Sequence, residues 1–331
     1  MGQAATTIDG RRSSRGRVAR VKFALFIQRQ GALVALVLVC IFAAYRYDRF
    51  LTEFNLSNVL RQNSMLGLVA LGMTFVILTG GIDLSVGSLV AVAGVVAAHL
   101  AGRGTLIAVV AAVGFTALLG LVNGLVIAKA RIQPFIGTLA MMIAARGLAL
   151  VYTGEQSVKA ESVSGSFSWL GRGAVGPVPV PVLILIIAYA IAWVVLNHTR
   201  FGRHVYSVGD NVEAARLMGL NVSRVTISVY TLSGALSGLA GVILASRLGT
   251  GQPVAGTGWE LDAIAAVVVG GTLLTGGQGG VGSTLVGVLL LGVIFNLFNL
   301  EGTISPWWQL VLRGLILLLV VVIQNRLSAR K

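Results

Sequence analysis

The sequence predicts an all-α, polytopic membrane protein. Of its 331 residues, 56% are hydrophobic and only 11% are charged, whereas a soluble domain carries about 25% charged residues. So few charges cannot cover the surface of a soluble protein of this length, and much of the surface must therefore face lipid. Apolar segments long enough to cross the hydrocarbon as helices recur along the chain, and a helix satisfies its own backbone hydrogen bonds in lipid.

Hydropathy predicts about ten transmembrane helices. The segments are 29–45, 64–80, 86–102, 105–129, 134–152, 179–197, 225–246, 261–276, 281–300 and 307–325. The segment 261–276 is short enough to be a half-helix. We therefore predict a disordered, basic cytoplasmic tail over 1–22, a transmembrane domain over 23–326 and a short cytoplasmic tail over 327–331.

Basic residues orient these helices, because cytoplasmic loops carry an excess of Lys and Arg. Six basic residues fall in the first 22, and others lie in the loop 198–224 and at the C-terminus. Both termini and this loop are thus predicted to be cytoplasmic. The loop 46–63 argues against this arrangement, since it carries Arg46, Arg49 and Arg61 on the opposite side. The basic N-terminal run contains no interleaved aromatic residues, and it precedes an apolar segment. Both features favour a lipid bilayer over nucleic acid as its partner.

Glycine is abundant, with 43 residues, and many of them lie inside the apolar segments. Two glycine pairs at a spacing of four, Gly120 with Gly124 and Gly234 with Gly238, predict close helix packing. Two stretches also resemble each other: Leu-Thr-Gly-Gly leads to Val-Gly-Ser over 78–88 and again over 274–283. Chance similarity and duplication of a unit both explain this, and paired Gly-interrupted segments often build the pathway of a transporter.

The Gly-rich segment 277–284 resembles two nucleotide-binding motifs but fits neither. A P-loop needs a lysine after its last glycine, and Ser283 stands there instead. A dinucleotide fingerprint needs a soluble strand–turn–helix unit, whereas this segment lies between predicted membrane helices. The three histidines form no hydrolytic or metal-binding set. We predict no catalytic residue, metal or cofactor, and if the chain works with ATP, the ATPase is another polypeptide.

Asp83 is the most distinctive polar residue between the apolar segments. A carboxylate at the membrane centre costs about 3 kcal/mol on insertion scales, so such residues usually face a cavity or a partner. One interpretation is that Asp83, Ser85, Gly87 and Asn123 line a pathway. The other is that Asp83 caps the helix beginning near Ser85 and that Asn123 bonds to a neighbouring helix. The two interpretations are compatible, and both remain open.

The loop 198–224 is predicted to carry a short amphipathic helix over 211–219. Asp210 is its expected N-cap, with Glu213 three residues later as in a capping box. Alanines and a leucine that favour helix follow, and then a glycine that suits its end. Because a mere connector does not need a capped helix, we predict that this element docks a partner. The residues predicted to take part are Asp210, Glu213, Ala214, Ala215, Leu217 and Gly219.

Three segments closely resemble one family. GMTFVILTGGIDLSVGS, GRHVYSVGDNVEAARLMGLNV and GWELDAIAAVVVGGTLLTGG are similar to the ribose, xylose, arabinose and galactose permeases of bacterial ABC importers, and the resemblance spans about residues 30–325. It implies a fold similar to the cobalamin-importer permeases, in the bacterial inner membrane. It also implies three partners: a cytoplasmic ATPase with two nucleotide-binding halves, a periplasmic sugar-binding protein and a second, identical or paralogous permease.

The same resemblance implies how the chain works. The family's cytoplasmic coupling pattern falls on Glu213, Ala214, Ala215 and Gly219, and closure of the ATPase halves would move this helix and tilt the bundle. The motifs do not specify one sugar. A furanosyl signal, a nucleoside or a branched-chain amino acid are alternative ligands, and the motifs favour sugars over the last two. A secondary transporter would need more membrane-embedded ionisable groups than Asp83 provides.

Overall fold

A computed structural model describes residues 31–161, 165–303, 305, 307–312, 314, 315, 318 and 322. The predicted tails 1–22 and 327–331 lie outside this part of the chain. The helices are α1 (Gly31–Arg46), α2 (Glu53–Leu78), α3 (Val86–Leu100), α4 (Thr105–Lys129), α5 (Pro134–Thr153), α6 (Ser166–Arg172), α7 (Val180–His198), α8 (Arg200–Asp210), α9 (Val212–Leu217), α10 (Val222–Leu248), α11 (Trp259–Val269) and α12 (Val281–Glu301). Residues 307–312 are also helical.

The strands are short and lie outside the helices. β1 (Val158–Lys159) pairs antiparallel with β4 (Thr250–Gly251), and β2 (Ala174–Val175) pairs with β3 (Val178–Pro179). The first pair ties the segment after α5 to the end of α10. The all-α class predicted for the membrane domain therefore holds, because these short strands lie outside its helices.

Seven of the described helices are long and apolar enough to cross a membrane, compared with the ten predicted from hydropathy. They are α2, α3 with the 3₁₀ turn after it, α4, α5, α7, α10 and α12. The predicted segment 261–276 is α11, which has only 11 residues and is a half-helix as expected. The predicted segments 29–45 and 307–325 lie partly outside the described residues.

The helices fall into a buried centre and a lipid-facing exterior. In the most apolar stretch of α2, 83% of the residues are buried, compared with 22% in α4 and 17% in α5. Helix α10 packs against α2, α3 and α4. Large apolar side chains on α4, α5 and α7 are exposed, which is the arrangement expected of surfaces that meet lipid.

The predicted glycine contacts join α4 to α10. A Cβ on Gly120 would overlap the carbonyl oxygen of Tyr230, and one on Gly234 would overlap that of Thr116. A Cβ on Gly124 would lie 2.7 Å from the Cα of Ile227. Only glycine permits this approach, so the prediction of close packing is confirmed.

Helix α2 begins eleven residues before the predicted segment 64–80, at Glu53, where Thr52 accepts the N–H of Asn55. Hydropathy missed this half of the helix because it is polar. Its polar side chains face protein: Asn55 and Asn296 exchange two amide hydrogen bonds of 2.8 and 3.1 Å. Arg61 donates to the carbonyl oxygen of Arg172, at the end of α6, at 2.7 Å. Arg61, one of the three basic residues that argued against the predicted orientation, thus has a structural partner.

The two similar Gly-rich stretches lie side by side. The N–H of Gly277 donates to the carbonyl oxygen of Leu78 at 3.0 Å. Helices α3 and α12 both begin at the valine of the repeated Val-Gly-Ser. Gly276, Gly277 and Gly279 all adopt positive φ in the segment between the end of α11 and the start of α12 at Val281. The equivalent positions favour duplication over chance similarity.

Candidate functional site

The loop 198–224 folds into two helices, α8 and α9. Thr199 caps α8 by accepting the N–H of Gly202 at 3.3 Å. The predicted cap at Asp210 is wrong, because Asp210 is the last residue of α8. Asn211 caps α9 instead, its amide oxygen accepting the N–H of Ala214 at 3.0 Å. Asp and Asn are both good N-caps, so the sequence left these two neighbours hard to separate.

Gly219 ends α9 as predicted. It adopts φ +80°, a conformation that side chains with a Cβ disfavour. Its N–H donates to the carbonyl oxygen of Arg216 at 2.9 Å, and the N–H of Leu220 donates to that of Ala215 at 3.0 Å. This pair of bonds is a Schellman motif, and it fixes the direction in which the chain leaves α9.

The residues of α9 divide between the protein core and solvent. Ala215 is fully buried in the main hydrophobic cluster, so it seats the helix and does not present a surface. Glu213 and Arg216 form an exposed ion pair of 2.7 Å. Leu217 is 89% exposed and Met218 is 66% exposed. Two large apolar side chains side by side at the end of a short helix indicate a contact surface. Met218 was not among the residues that the sequence predicted to dock a partner.

Helix α8 links α9 to the bundle. The ring of Phe201 stacks on Phe75 of α2 with centroids 6.4 Å apart. The hydroxyl of Tyr206 donates to the carbonyl oxygen of Gly279 at 3.0 Å, and partial burial raises the pKa of Tyr206, which keeps this donor protonated. A Cβ on Gly209 would overlap the carbonyl oxygen of Leu78. The end of α8 therefore lies directly against both Gly-rich turns.

Asp83 belongs to a buried polar cluster. One carboxylate oxygen accepts the N–H of Ser85 at 3.0 Å and its hydroxyl at 2.6 Å. The other accepts the hydroxyl of Ser233 on α10 at 2.8 Å. The amide of Asn123 on α4 donates to the Ser85 hydroxyl at 2.9 Å. These four residues are at most 2% exposed, so the cluster joins α3, α4 and α10 around the break after α2.

The predicted cap role of Asp83 needs a correction. Helix α3 begins at Val86, so Ser85 and not Asp83 occupies the N-cap position. Asp83 accepts the N–H two residues ahead, which is an Asx turn leading into the helix. The expected bond from Asn123 to a neighbouring element is confirmed.

The structure places Gly87 apart from the Asp83 cluster. It packs against the loop before α11, where a Cβ would overlap the carbonyl oxygen of Gly256 and come within 2.5 Å of the Glu260 carboxylate. Arg146 of α5 donates to the carbonyl oxygens of Pro253 and Ala255 in that loop, both at 2.7 Å. Arg146 therefore holds the backbone of this loop in place.

Comparisons with known proteins agree on one family. The model described as "Branched-chain amino acid transport system / permease component" matches residues 55–321. The ribose import permease protein RbsC of Escherichia coli strain K12 is 45% identical over 305 residues, which cover 91% of this chain and 95% of the relative. RbsC of Bacillus subtilis strain 168 is 43% identical, covering 94% and 97%.

A relative named for another sugar matches nearly as well. The L-arabinose transport system permease protein AraH of E. coli strain K12 is 40% identical over 298 residues, covering 88% of this chain and 89% of the relative. No solved structure matches the chain significantly. This chain therefore belongs to the family of multi-pass inner-membrane permeases of ABC sugar importers of the ribose and arabinose type, as a transport subunit and not an enzyme.

Proposed function

We propose that this chain is the permease through which an ABC importer carries ribose across the inner membrane. The observation that carries the proposal is the 45% identity to a ribose import permease over 91% of the chain. The family model is named for branched-chain amino acid transport, whereas the relatives described above are named for ribose and arabinose. The motifs around Asp83 and Glu213 favour a sugar.

Uptake by cells tests the substrate directly. The chain and its cognate ATPase and binding protein would be expressed in a strain without its own ribose transport, and uptake of labelled ribose measured. We expect unlabelled ribose to compete strongly, arabinose and fructose weakly and leucine not at all. Competition by leucine with no effect of ribose would contradict the proposal.

We further propose three partners for this permease: a cytoplasmic ATPase with two nucleotide-binding halves, a periplasmic sugar-binding protein and a second permease. The exposed pair Leu217 and Met218 supports α9 as the docking element. The residues Asp210, Glu213 and Ala214 flank this pair, while Ala215 and Gly219 set its position. In this arrangement both termini and the segment 198–224 are cytoplasmic, and about ten spans form a fold similar to the cobalamin-importer permeases.

The Asp83 cluster, with Ser85 and Asn123, has a supporting role beside the pathway in this proposal. Its donors and acceptors are paired within one chain, which suits a fixed joint between helices better than a group that exchanges ions. Gly87 allows the loop before α11 to lie close to α3. These residues position the pathway, and the proposal assigns them no proton-coupling role.

A further inference from the structure

A polar cavity of about 390 Å³ lies between α2, α10, α11 and α12. This volume is within the roughly 300–1,000 Å³ of small-ligand sites. Its polar lining comprises Asn58, Gln62, Asn63, Arg247, Asp262, Asn296 and Asn299. Among these residues one positive and one negative side chain give no net formal charge, and the others are carboxamides.

The cavity lies far from α9. Gln62 precedes Leu78, where α8 contacts α2, by sixteen residues of one helix, which is about 24 Å at the helical rise. The other helices that line the cavity also have the end remote from the cavity near α8. For α12, Gly279 lies just before the start of the helix and contacts Tyr206 of α8. The cavity is therefore at the end of the bundle remote from the coupling helix.

Three amides of α2 are available to a ligand. Within the described part of the chain, the side chains of Asn58, Gln62 and Asn63 make no hydrogen bond to protein. Asn63 is only 6% exposed, and it lines the cavity. Gly292 of α12 makes room for it, because a Cβ there would overlap the Asn63 amide. The Asn63 amide therefore lies directly against α12 at the wall of the cavity.

The lining matches the chemistry of a sugar. A carboxamide both donates and accepts hydrogen bonds, as a hydroxyl does, so adjacent amides can bind adjacent hydroxyls. Trp259, which also lines the cavity, offers an apolar ring face to the C–H groups of a sugar ring. A branched-chain amino acid would instead place an aliphatic side chain against these amides and leave them unpaired.

We infer that this cavity is a low-affinity binding site for a neutral polyhydroxylated ligand, a pentose, on its way through the permease. The inference rests on the proposed ribose transport and adds the site and its residues. Gln62 and Asn299 line the cavity and are exposed, so part of the lining stays in contact with solvent. The site therefore holds the sugar briefly and releases it, as conduction requires.

Protection of a thiol tests the site without using transport as the readout. The chain has one cysteine, Cys40, so Cys40→Ala provides a background for single-thiol variants. Val59→Cys places a thiol in the cavity at a lining position without a polar side chain, and Asn197→Cys places one at an exposed position on α7. The purified permease–ATPase complex would be treated with a water-soluble thiol reagent, with ribose or with leucine at equal concentration.

We expect ribose at ten times its dissociation constant to slow labelling at position 59 about tenfold, with no effect at position 197. Adding Gln62→Leu, an exposed change that does not threaten folding, should raise the ribose concentration for half-protection about fivefold, as loss of one hydrogen bond predicts. Leucine should not protect.

Two results would overturn the inference: ribose leaves labelling at position 59 unchanged, or leucine protects as well as ribose does. Uptake of labelled ribose by the wild-type importer is measured alongside. If the importer carries ribose but position 59 is insensitive to it, the site is wrong and the function stands. If the importer does not carry ribose, the proposed function itself fails.

Discussion

Asp83 illustrates what one residue's sequence context can and cannot predict. A lone carboxylate between apolar segments indicated a satisfied polar environment. Its partner Ser233 lies 150 residues away, and no local pattern relates the two. The same limit applies to Asn58, Gln62 and Asn63. Because these residues are polar, hydropathy left them outside a predicted span, whereas they are part of the membrane helix α2.

The Asp83 cluster predicts graded effects of substitution. Asp83→Asn keeps an oxygen for the Ser85 donors, and Ser233 can accept from the new amide, so ribose uptake should be largely retained. Asp83→Leu leaves several buried donors unpaired at about 1–3 kcal/mol each, and the amount of folded permease in the membrane should fall. Loss of uptake in Asp83→Asn with normal assembly would mean that the charge itself acts in transport.

Serine substitutions on α10 provide a matched comparison for the same cluster. Ser233→Ala removes one buried hydrogen bond to Asp83 and should destabilise the folded protein by about 1 kcal/mol. Ser228→Ala, on the exposed side of the same helix, should leave thermal stability in detergent unchanged. Equal stability of the two variants would contradict the assigned role of Ser233.

At the scale of elements, helix contacts that depend on glycine were predictable and helix ends were not. The spacing of Gly120 with Gly124 and of Gly234 with Gly238 predicted close helix packing, because close approach requires small residues on one face, but it did not indicate that α4 and α10 are each other's partners. The cap of α9 was misplaced by one residue, since two adjacent residues had suitable side chains. Helix α2 was predicted too short because hydropathy measures polarity and not burial.

Alanine substitutions at two glycines of α4 distinguish the effect of helix packing on stability from the effect of helix propensity. Gly120→Ala should destabilise the bundle by about 1–3 kcal/mol, the usual cost of overpacking, because the new methyl overlaps the backbone of α10. Gly114→Ala meets no atom within 4 Å and should be neutral or stabilising by up to about 1 kcal/mol. Thermal denaturation in detergent compares them. A stable Gly120→Ala variant would show that α4 and α10 are further apart.

Helix α9 predicts both a topology and a contact. In the Cys40→Ala background, Leu217→Cys should react with an impermeant thiol reagent only from the cytoplasmic side. Position 217 suits this experiment better than position 215, because Leu217 is exposed to the reagent and Ala215 is buried. Met218→Glu should reduce recovery of the ATPase with the permease without lowering permease stability, whereas Asn197→Glu should not. Labelling from the periplasmic side in intact cells would refute the arrangement.

At the scale of the whole molecule, sequence predicted the class of protein more securely than its architecture. Low charge content and repeated apolar segments left only a membrane protein, and three motifs indicated the family that the comparisons established. The count of spans differed, ten predicted against seven long helices described, because α11 is too short to be a full span and the predicted segments 29–45 and 307–325 lie partly outside the described residues.

The assembly should contain two permeases. The described residues of one chain offer a single docking element of the α9 kind, while an ATPase of two closing halves offers two sites. The measured mass of the purified complex should therefore fit two permease copies, or this chain and a paralogue, for each ATPase pair. A transport-competent complex with one permease would contradict this stoichiometry.

The measurement that tests the central claim most directly is uptake of labelled ribose into liposomes that contain the purified permease and ATPase. We predict uptake only when the binding protein is present on the side of the liposome opposite the ATPase and ATP is supplied on the ATPase side. Collapse of ion gradients should leave it unchanged. Ribose uptake that continues without ATP and stops on addition of an uncoupler would contradict the account.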